Sequence, residues 1–382
     1  MGLIRFLLAL SVVVAHAPSQ KLMGFTLLSG VTAVQAFYII SGFLITMILN
    51  ERKEYRSPFN FYLSRYLRLW PPYIVVALIT LVVAKWRMEF VDLAKMDFVT
   101  QAFLWFSNVT LLLQDWFCFL RADNGHLSFT VSFGAAPPPL IVYYLLAPQC
   151  WTLGVEMSFY VVAPFVCRRW WGAVGLFGFG LAARVAIAQW QPPLQDPWLY
   201  RFAPAEMMLF ASGSLSYFLG TYCDRRARPR KIIPAACMTL LSGLILANDY
   251  AMPWLAAHLP MYWPRLYLMN GPVLVLVAAA CPFLFKISRA SRIDDFLGEL
   301  SYPIYVSHWF LRGEAIEHLS APWDAGSLVY VAGVIAFSVL LLVCVVFPVD
   351  RIRARFGARV PGTDRAAGAP VGALAPAAQG GG

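Results

Sequence analysis

Charge is scarce in this sequence. Only 13% of its 382 residues are Asp, Glu, Lys or Arg, where soluble domains carry about 25%. With 60% hydrophobic residues and a mean hydropathy of +0.64, that shortage excludes a soluble globule and leaves a polytopic membrane protein. Acidic residues are scarcer still, 20 against 30 basic ones, for a net charge of +10. The basic residues sit in short loops between apolar runs, so topology explains them and nucleic acid is not an expected partner. The seven cysteines (Cys118, Cys150, Cys167, Cys223, Cys237, Cys281 and Cys344) lack CxxC or metal-ligand spacing. They read as small buried hydrophobes, and no metal site is expected. The sequence also lacks a Ser or Cys nucleophile elbow, an internal repeat and an appended soluble domain.

What it has is apolar length. Windows of about 20 residues mark membrane spans, and ten appear: 2–18, 29–50, 66–86, 140–167, 171–190, 205–222, 232–248, 270–287, 297–313 and 325–348. The fold class expected is all-α, a multi-pass bundle with both termini in the cytoplasm. A shorter apolar stretch, 99–113, reads as a re-entrant or interfacial helix on the outer side. With this topology twenty basic residues fall on the inner side and eight on the outer, as the positive-inside rule requires. Making 99–113 a full span would put Arg168-Arg169 and the 225–231 cluster outside. The first span lacks a cleavage site in good register, so it is kept as a helix and not as a signal peptide. Residues 1–350 form the membrane domain. The tail 351–382 is basic and then Ala-, Gly- and Pro-rich, a composition that cannot build a core. Pro137 to Pro139 read as a stiff lead into the fourth span. The 13 Trp and 17 Tyr suit interfacial belts in a lipid bilayer, and a homo-oligomer stays open.

Ionisable groups inside a membrane are costly and tend to face a protein interior with a function. The first span carries two, Arg5 and His16. Eleven residues at about 100° each bring them to one stripe, with about 16 Å of rise between them. The second span contains Ser41-Gly42-Phe43, where a small-residue packing notch is the simpler reading. Arg65 and Arg68, three apart, share a helix face next to Trp70-Pro71-Pro72, either as a phosphate site or as a plain inner-side anchor. Glu156 sits among apolar residues in WTLGVEMSFY, flanked by Trp151 and Tyr160, and needs a polar partner. Glu206 is expected to pair with Arg201 at the outer end of its span, while Arg184 needs a counter-charge the sequence does not name. His308 lies in the outer third of the ninth span and reads first as a satisfied hydrogen-bonding group. His126, His258 and His318 fall in outer loops.

Together these stretches resemble the acyltransferase-3 superfamily of bacterial membrane O-acyltransferases. The resemblance rests on R-x10-H (Arg5, His16), FYIISGFL (Phe37 to Leu44), R-x2-R (Arg65, Arg68), W-[ST]-L-x2-E-x2-FY (Trp151 to Tyr160) and SY-x-IY-x2-H (Ser301 to His308), in that order. It covers residues 2 to 348. The chain begins four residues before the arginine, where the family usually has more, and Met157 replaces a usual second acidic residue. The resemblance implies a protein of the inner membrane that takes an acyl group, most commonly acetyl, from cytoplasmic acyl-CoA as co-substrate, with no permanently bound cofactor. The acceptor is a hydroxyl, usually on a carbohydrate such as a surface polysaccharide or lipid-linked glycan. His16 carries over as catalytic base and Glu156 as a further catalytic position. Arg5, Arg65, Arg68, Ser41, Gly42 and Phe43 carry over to the donor side, and Trp151, Tyr160 and His308 to the acceptor.

Such a transfer needs a held donor, a base for the hydroxyl and a stabilised oxyanion. An imidazole suits the base, and Glu156 is expected either to orient it or to bind acceptor hydroxyls. Direct transfer is favoured over a covalent intermediate, with Ser41 as the fallback nucleophile. A proton-coupled transporter of a sugar or glycolipid is the competing class, because intramembrane carboxylates, an arginine and a histidine fit it too.

Overall fold

The computed structural model describes residues 1–86, 93, 95–131, 133, 140–190, 196–226, 232–247, 265–288, 291–318 and 323–355. Its helices, in chain order, are α1 (Gly2–Ala15), α2 (Gly30–Glu51), α3 (Pro58–Trp86), α4 (Phe98–Thr110), α5 (Trp151–Val166), α6 (Trp170–Trp190), α7 (Ala203–Arg226), α8 (Ile232–Leu246), α9 (Arg265–Ser288), α10 (Arg292–His318), α11 (Trp323–Leu341) and α12 (Phe347–Arg355). Each of the ten apolar runs contains helix, that at 140–167 an α-helix only from Trp151, and the protein is an all-α membrane protein. Among the described residues four helical stretches are long and apolar enough to cross a membrane: Gly30–Glu51, Pro58–Val83, Trp170–Trp190 and Gly326–Arg353, the last joined through a π-helical turn at Leu342–Val346. Three shorter ones, Gly2–Ala15, Ile232–Leu246 and Gly271–Ile287, are also apolar.

The helices differ in what covers them. In α2, 78% of the apolar window is buried in protein, against 33% in α3 and 28% in α6. α2 is therefore central, while α3 and α6 keep apolar side chains such as Val82, Phe179 and Leu181 on the outside, where acyl chains can cover them. Glycines let α2 and α7 touch backbone to backbone. A Cβ on Gly42 would lie 1.9 Å from the Phe210 carbonyl oxygen, and one on Gly213 would lie 1.8 Å from that of Ile39. Side-chain hydroxyls then bridge the contact, Thr46 Oγ1 donating to Ser214 Oγ at 2.8 Å.

The start of α1 lies at the same end of the bundle as the end of α2, the start of α3, the end of α5, the start of α10 and the end of α12. Arg168 donates to the Leu49 and Tyr55 carbonyls, Asn50 to that of Cys167, and Arg353 to Ser64. At the opposite end Ser19 bonds Ser327, and Gln35 reaches Glu206.

Three boundaries differ from expectation. Residues 140–150 are not the first turns of a span but two short 3-10 turns, Ile141–Tyr144 and Pro148–Cys150. Pro148 keeps the residue before it out of the helical region, with Ala147 at φ −134° and ψ 79°, and the stretch is apolar because Leu140, Ile141 and Val142 are buried in protein. α3 starts at Pro58, eight residues early, with proline at the first helical position. α12 runs to Arg355, past the expected edge at 350. The 99–113 stretch forms α4, capped by Asp97, whose side chain accepts from Thr100 N at 2.8 Å, and closed by Leu111 at φ 65°. Its buried side is Thr100, Leu104, Ser107 and Asn108, the spacing of one helix face.

Among the described residues the segment between α4 and α5 contains one hairpin, β1 (Leu120–Asp123) against β2 (His126–Phe129), which the all-α reading did not anticipate. Its Asn124-Gly125 turn has φ of 49° and 84°, the left-handed pair that Asn-Gly favours in two-residue hairpins. Pro137 to Pro139, His258, Trp254, Trp263 and the tail from 356 lie outside the described residues.

Candidate functional site

Arg5 and His16 both turn toward α10. α1 comes within backbone contact of it: a Cβ on Gly2 would stand 1.6 Å from the Asp294 carbonyl oxygen, and one on Gly298 would stand 3.3 Å from Arg5 Nη1. The first N–H groups of α1, of Gly2 and Leu3, donate to the Asp294 carboxylate at 2.6 and 2.8 Å. A carboxylate there satisfies orphan donors and suits the positive end of the helix dipole. Burial opposes the charge on Asp294, yet the Met1 ammonium and those N–H groups hold its pKa below the usual value.

One turn into α1, Arg5 joins a cluster of guanidiniums. Arg68 forks to Glu299 at 3.1 Å on both oxygens. Arg5 lies within electrostatic reach of Arg68, Glu299 and Glu156, and Arg353 within that of Arg65 and Arg68. Arg353 is 1% exposed, bonded to Asp350 and, at 3.2 Å, to Ser64 Oγ. Arg65 lies 6.0 Å over the Tyr55 ring, and the buried Nε atoms of Arg65 and Arg353 have no hydrogen-bond partner. The two arginines of R-x2-R therefore part company: Arg68 is committed to a carboxylate, and Arg65 turns toward Tyr55. Four guanidiniums and the Met1 ammonium gather with Glu299, Glu156, Asp350, Asp294 and Asp295, and guanidiniums set this close together suit a polyanion.

The Ser41-Gly42-Phe43 triplet sends its residues three ways. Ser41 Oγ donates to Glu156 Oε1 at 2.6 Å, and Tyr160 OH donates to the same oxygen at 2.7 Å. Gly42 makes the α2–α7 contact, so its Cα face meets Phe210 and leaves no room for a ligand there. Phe43 packs 6.0 Å from both Tyr217 and Phe285 and lines a cavity of about 160 Å³ with Glu51, Asp224 and Lys286. Glu156 is thus a partner of Ser41 and Tyr160, not the group that orients the imidazole. Trp151 lies at the start of α5 under Arg201, whose guanidinium carbon is 4.5 Å from its ring.

His16 caps the end of α1. Its Nδ1 meets the Val12 carbonyl at 2.8 Å. A carbonyl only accepts, so Nδ1 carries the proton and Nε2 keeps its lone pair. The ring is flanked by α10, with His308 at 5.1 Å and Trp309 at 5.3 Å between centroids. Arg312 Nε donates to the His16 carbonyl at 3.0 Å. His308, expected in an outer third, is fully buried.

The one expected ion pair, Glu206 with Arg201, gives way to two others. Glu206 pairs with Arg184 at 2.9 Å and accepts from Gln35 at 3.3 Å, which supplies the counter-charge Arg184 needed. Arg201 instead forks to Asp196 at 2.6 and 3.1 Å. Asp196 is five residues from Arg201, while the α6–α7 contact puts Arg184 beside Glu206. Among the cysteines, Cys118, Cys150, Cys167 and Cys281 are buried as expected, whereas Cys223 and Cys344 lie on the bundle surface. Sequence reasoning passed over Glu299, Asp294, Arg353 and Asp115. Glu299 carries the signal Glu156 did, an acid at the head of an apolar run; Arg353 looked like any other inner-side charge. Asp115 is 5% exposed, and burial raises its pKa to about 6. It abuts Gly154 of the tryptophan motif, where a Cβ would stand 2.6 Å from its Oδ1.

The sequence model of the acyltransferase-3 family, described as an acyltransferase domain, matches residues 1–347. An uncharacterized protein of Aquifex aeolicus (strain VF5) is 24% identical over 212 residues, covering 54% of this chain and 89% of that protein. No solved structure matches the chain.

Proposed function

The chain belongs to the acyltransferase-3 family, and from that premise we propose that it moves an acetyl group from cytoplasmic acetyl-CoA to a hydroxyl of a carbohydrate acceptor, such as a surface polysaccharide or lipid-linked glycan. On this reading it spans the bacterial cytoplasmic membrane ten times with both termini inside. The Arg5 end of the bundle then faces the cytoplasm.

The observation that carries the reading is the two-ended face of α1. At one end Arg5 stands among Arg65, Arg68 and Arg353, beside Glu299. At the other, His16 has its Nδ1 proton fixed on Val12 and its Nε2 free. The two are about 16 Å apart along the helix, the order of length of an extended pantetheine arm. The phosphates of coenzyme A bind the arginines, and the acyl-thioester lies toward His16. His16 Nε2 takes the proton of the acceptor hydroxyl as its oxygen attacks the thioester carbon. The C–S bond breaks, and the proton passes to the leaving thiolate, so the imidazole ends neutral. Ser41, Glu156 and Tyr160 form one hydrogen-bonded group within reach of Arg5.

Acyl-CoA-dependent product formation by the purified, reconstituted protein tests the reading. His16→Ala should lower turnover by at least roughly 100-fold, the range of a lost general base, without loss of fold. Near-normal turnover overturns the base assignment. Counter-flux of a sugar lipid without acyl-CoA would point to a carrier. Mass spectrometry of surface glycans from cells with and without the gene identifies acyl group and acceptor together.

A further inference from the structure

His308 has an unusual hydrogen-bond balance. It is fully buried in α10. Its Nδ1 meets the Tyr305 carbonyl at 2.6 Å, so Nδ1 is the donor and Nε2 bears the lone pair. That buried Nε2 has no partner. An orphaned buried acceptor is costly, roughly 1–3 kcal/mol in general, and calls for a donor that the resting arrangement lacks.

The ring beside it is His16, 5.1 Å away between centroids and tilted by 46°. Two imidazoles joined by one N–H···N bond of about 2.9 Å have centroids about 5 Å apart. The spacing therefore suits such a bond, given rotation of a ring. No bond can form at rest, because both Nε2 atoms are acceptors. The balance changes when His16 takes a proton: its Nε2 becomes the donor His308 lacks.

We propose that His308 is a positioning residue for the base, its Nε2 receiving a hydrogen bond from His16 Nε2–H only once His16 has been protonated by the acceptor hydroxyl. The proposal rests on His16 being the base. The single Nε2–H serves the acceptor oxygen first, so the bond to His308 forms once that oxygen has bonded the acyl carbon, and it stabilises the charged imidazolium of the tetrahedral intermediate without tightening substrate binding. The bookkeeping of protons is simple. The acceptor O–H bond breaks and the His16 Nε2–H bond forms; the acceptor oxygen bonds the acyl carbon and the C–S bond breaks. His16 then gives the proton to the thiolate, the bond to His308 is lost, and His308 keeps its Nδ1 proton throughout. The surroundings anchor the backbone that carries both rings. Arg312 Nε fixes the His16 carbonyl at 3.0 Å and lies 5.1 Å over the Trp309 ring, while Tyr330 OH donates to the His308 carbonyl at 2.9 Å.

The test is steady-state kinetics of the full chain in lipid nanodiscs, with thermal melts of every variant. His308→Met should lower kcat roughly 10–100-fold, the worth of one hydrogen bond to a charged group, with both KM values within about twofold of wild type. His308→Gln, whose amide oxygen accepts where Nε2 did, should recover most of it. In a His16→Ala background His308→Met should cost nothing further. Wild-type kcat in His308→Met, equal loss in the Gln and Met variants, or an undiminished loss in the His16→Ala background each overturns the proposal. If His308→Met does not fold, His308→Asn replaces it, since its shorter side chain cannot bring an acceptor to the same place; equal rates for the Asn and Gln variants overturn the proposal. Near-normal turnover of His16→Ala itself would instead indict the base reading.

Discussion

Two arginine–glutamate pairs lie inside the bundle, and their surroundings differ. Arg184 and Glu206 join α6 to α7 at 2.9 Å, with Glu206 fully buried and Arg184 12% exposed. Gln35 and the Ala205 carbonyl complete the contact, and charge is balanced within the pair. Arg68 and Glu299 join α3 to α10 at 3.1 Å with 17% and 21% exposed. Around them stand Arg5, Arg65 and Arg353, a concentration of guanidiniums that the first pair lacks. A self-neutralising pair behaves as a structural clamp. A pair set among further guanidiniums is, on the proposed reading, part of a site for a polyanion.

The contrast can be broken by mutation. Arg184→Ala leaves Glu206 buried and unpaired, and breaking a buried pair in this way costs about 3–5 kcal/mol. The melting temperature in detergent should fall accordingly, while the protein that remains folded keeps its donor KM. A changed donor KM with unchanged stability would show that this pair, too, belongs to a site. Arg68→Ala is expected to act the other way, raising donor KM about tenfold, or about 1.4 kcal/mol of binding, with a smaller loss of stability because the neighbouring guanidiniums still screen Glu299. An unchanged donor KM would remove Arg68 from the donor site.

A third ion pair, outside the membrane, sharpens the comparison from the weak end. Asp97 and His126 meet at 2.8 Å on the surface. The Thr100 hydroxyl and N–H, with His126, hold the Asp97 pKa at about 2, below its ordinary 3.8. A depressed carboxyl stabilises the fold above the unfolded value and loses that contribution as pH falls through the folded one. Asp97→Asn should therefore produce the smallest shift of the series at neutral pH and none near pH 2. A loss as large as that of Arg184→Ala would mean that α4 and the hairpin carry far more of the fold than surface pairing implies.

Much of this was legible beforehand, for identifiable reasons. The helices follow from apolar length, since a backbone surrounded by lipid must bond to itself. The stripe of Arg5 and His16 follows from helical period, and the structure turns both onto α10. Other features were hidden. Residues 140–150 looked like membrane span because hydrophobicity does not distinguish burial in lipid from burial in protein. The partners of Arg184 and Glu156 could not be assigned, and Arg201 was given Glu206 in place of Asp196, because several ionisable groups shared the same depth and only packing selects among them.

The sequence by itself determined a membrane protein of apolar helices, the face of α1 that holds a guanidinium and an imidazole, and the family. These depend on local period and composition, which do not change when helices are rearranged. Tertiary structure alone decided that Glu299 and Arg353 complete the cationic cluster, that Glu156 serves Ser41 and Tyr160, and that His308 rests beside His16 with a bare nitrogen. The residues so joined lie up to 292 positions apart, as Ser64 and Arg353 or His16 and His308 do. Such pairings are fixed by glycine-sized approaches like Gly2 on α10 and Gly42 on Phe210, where a missing Cβ sets which faces meet and hence which polar groups must satisfy one another.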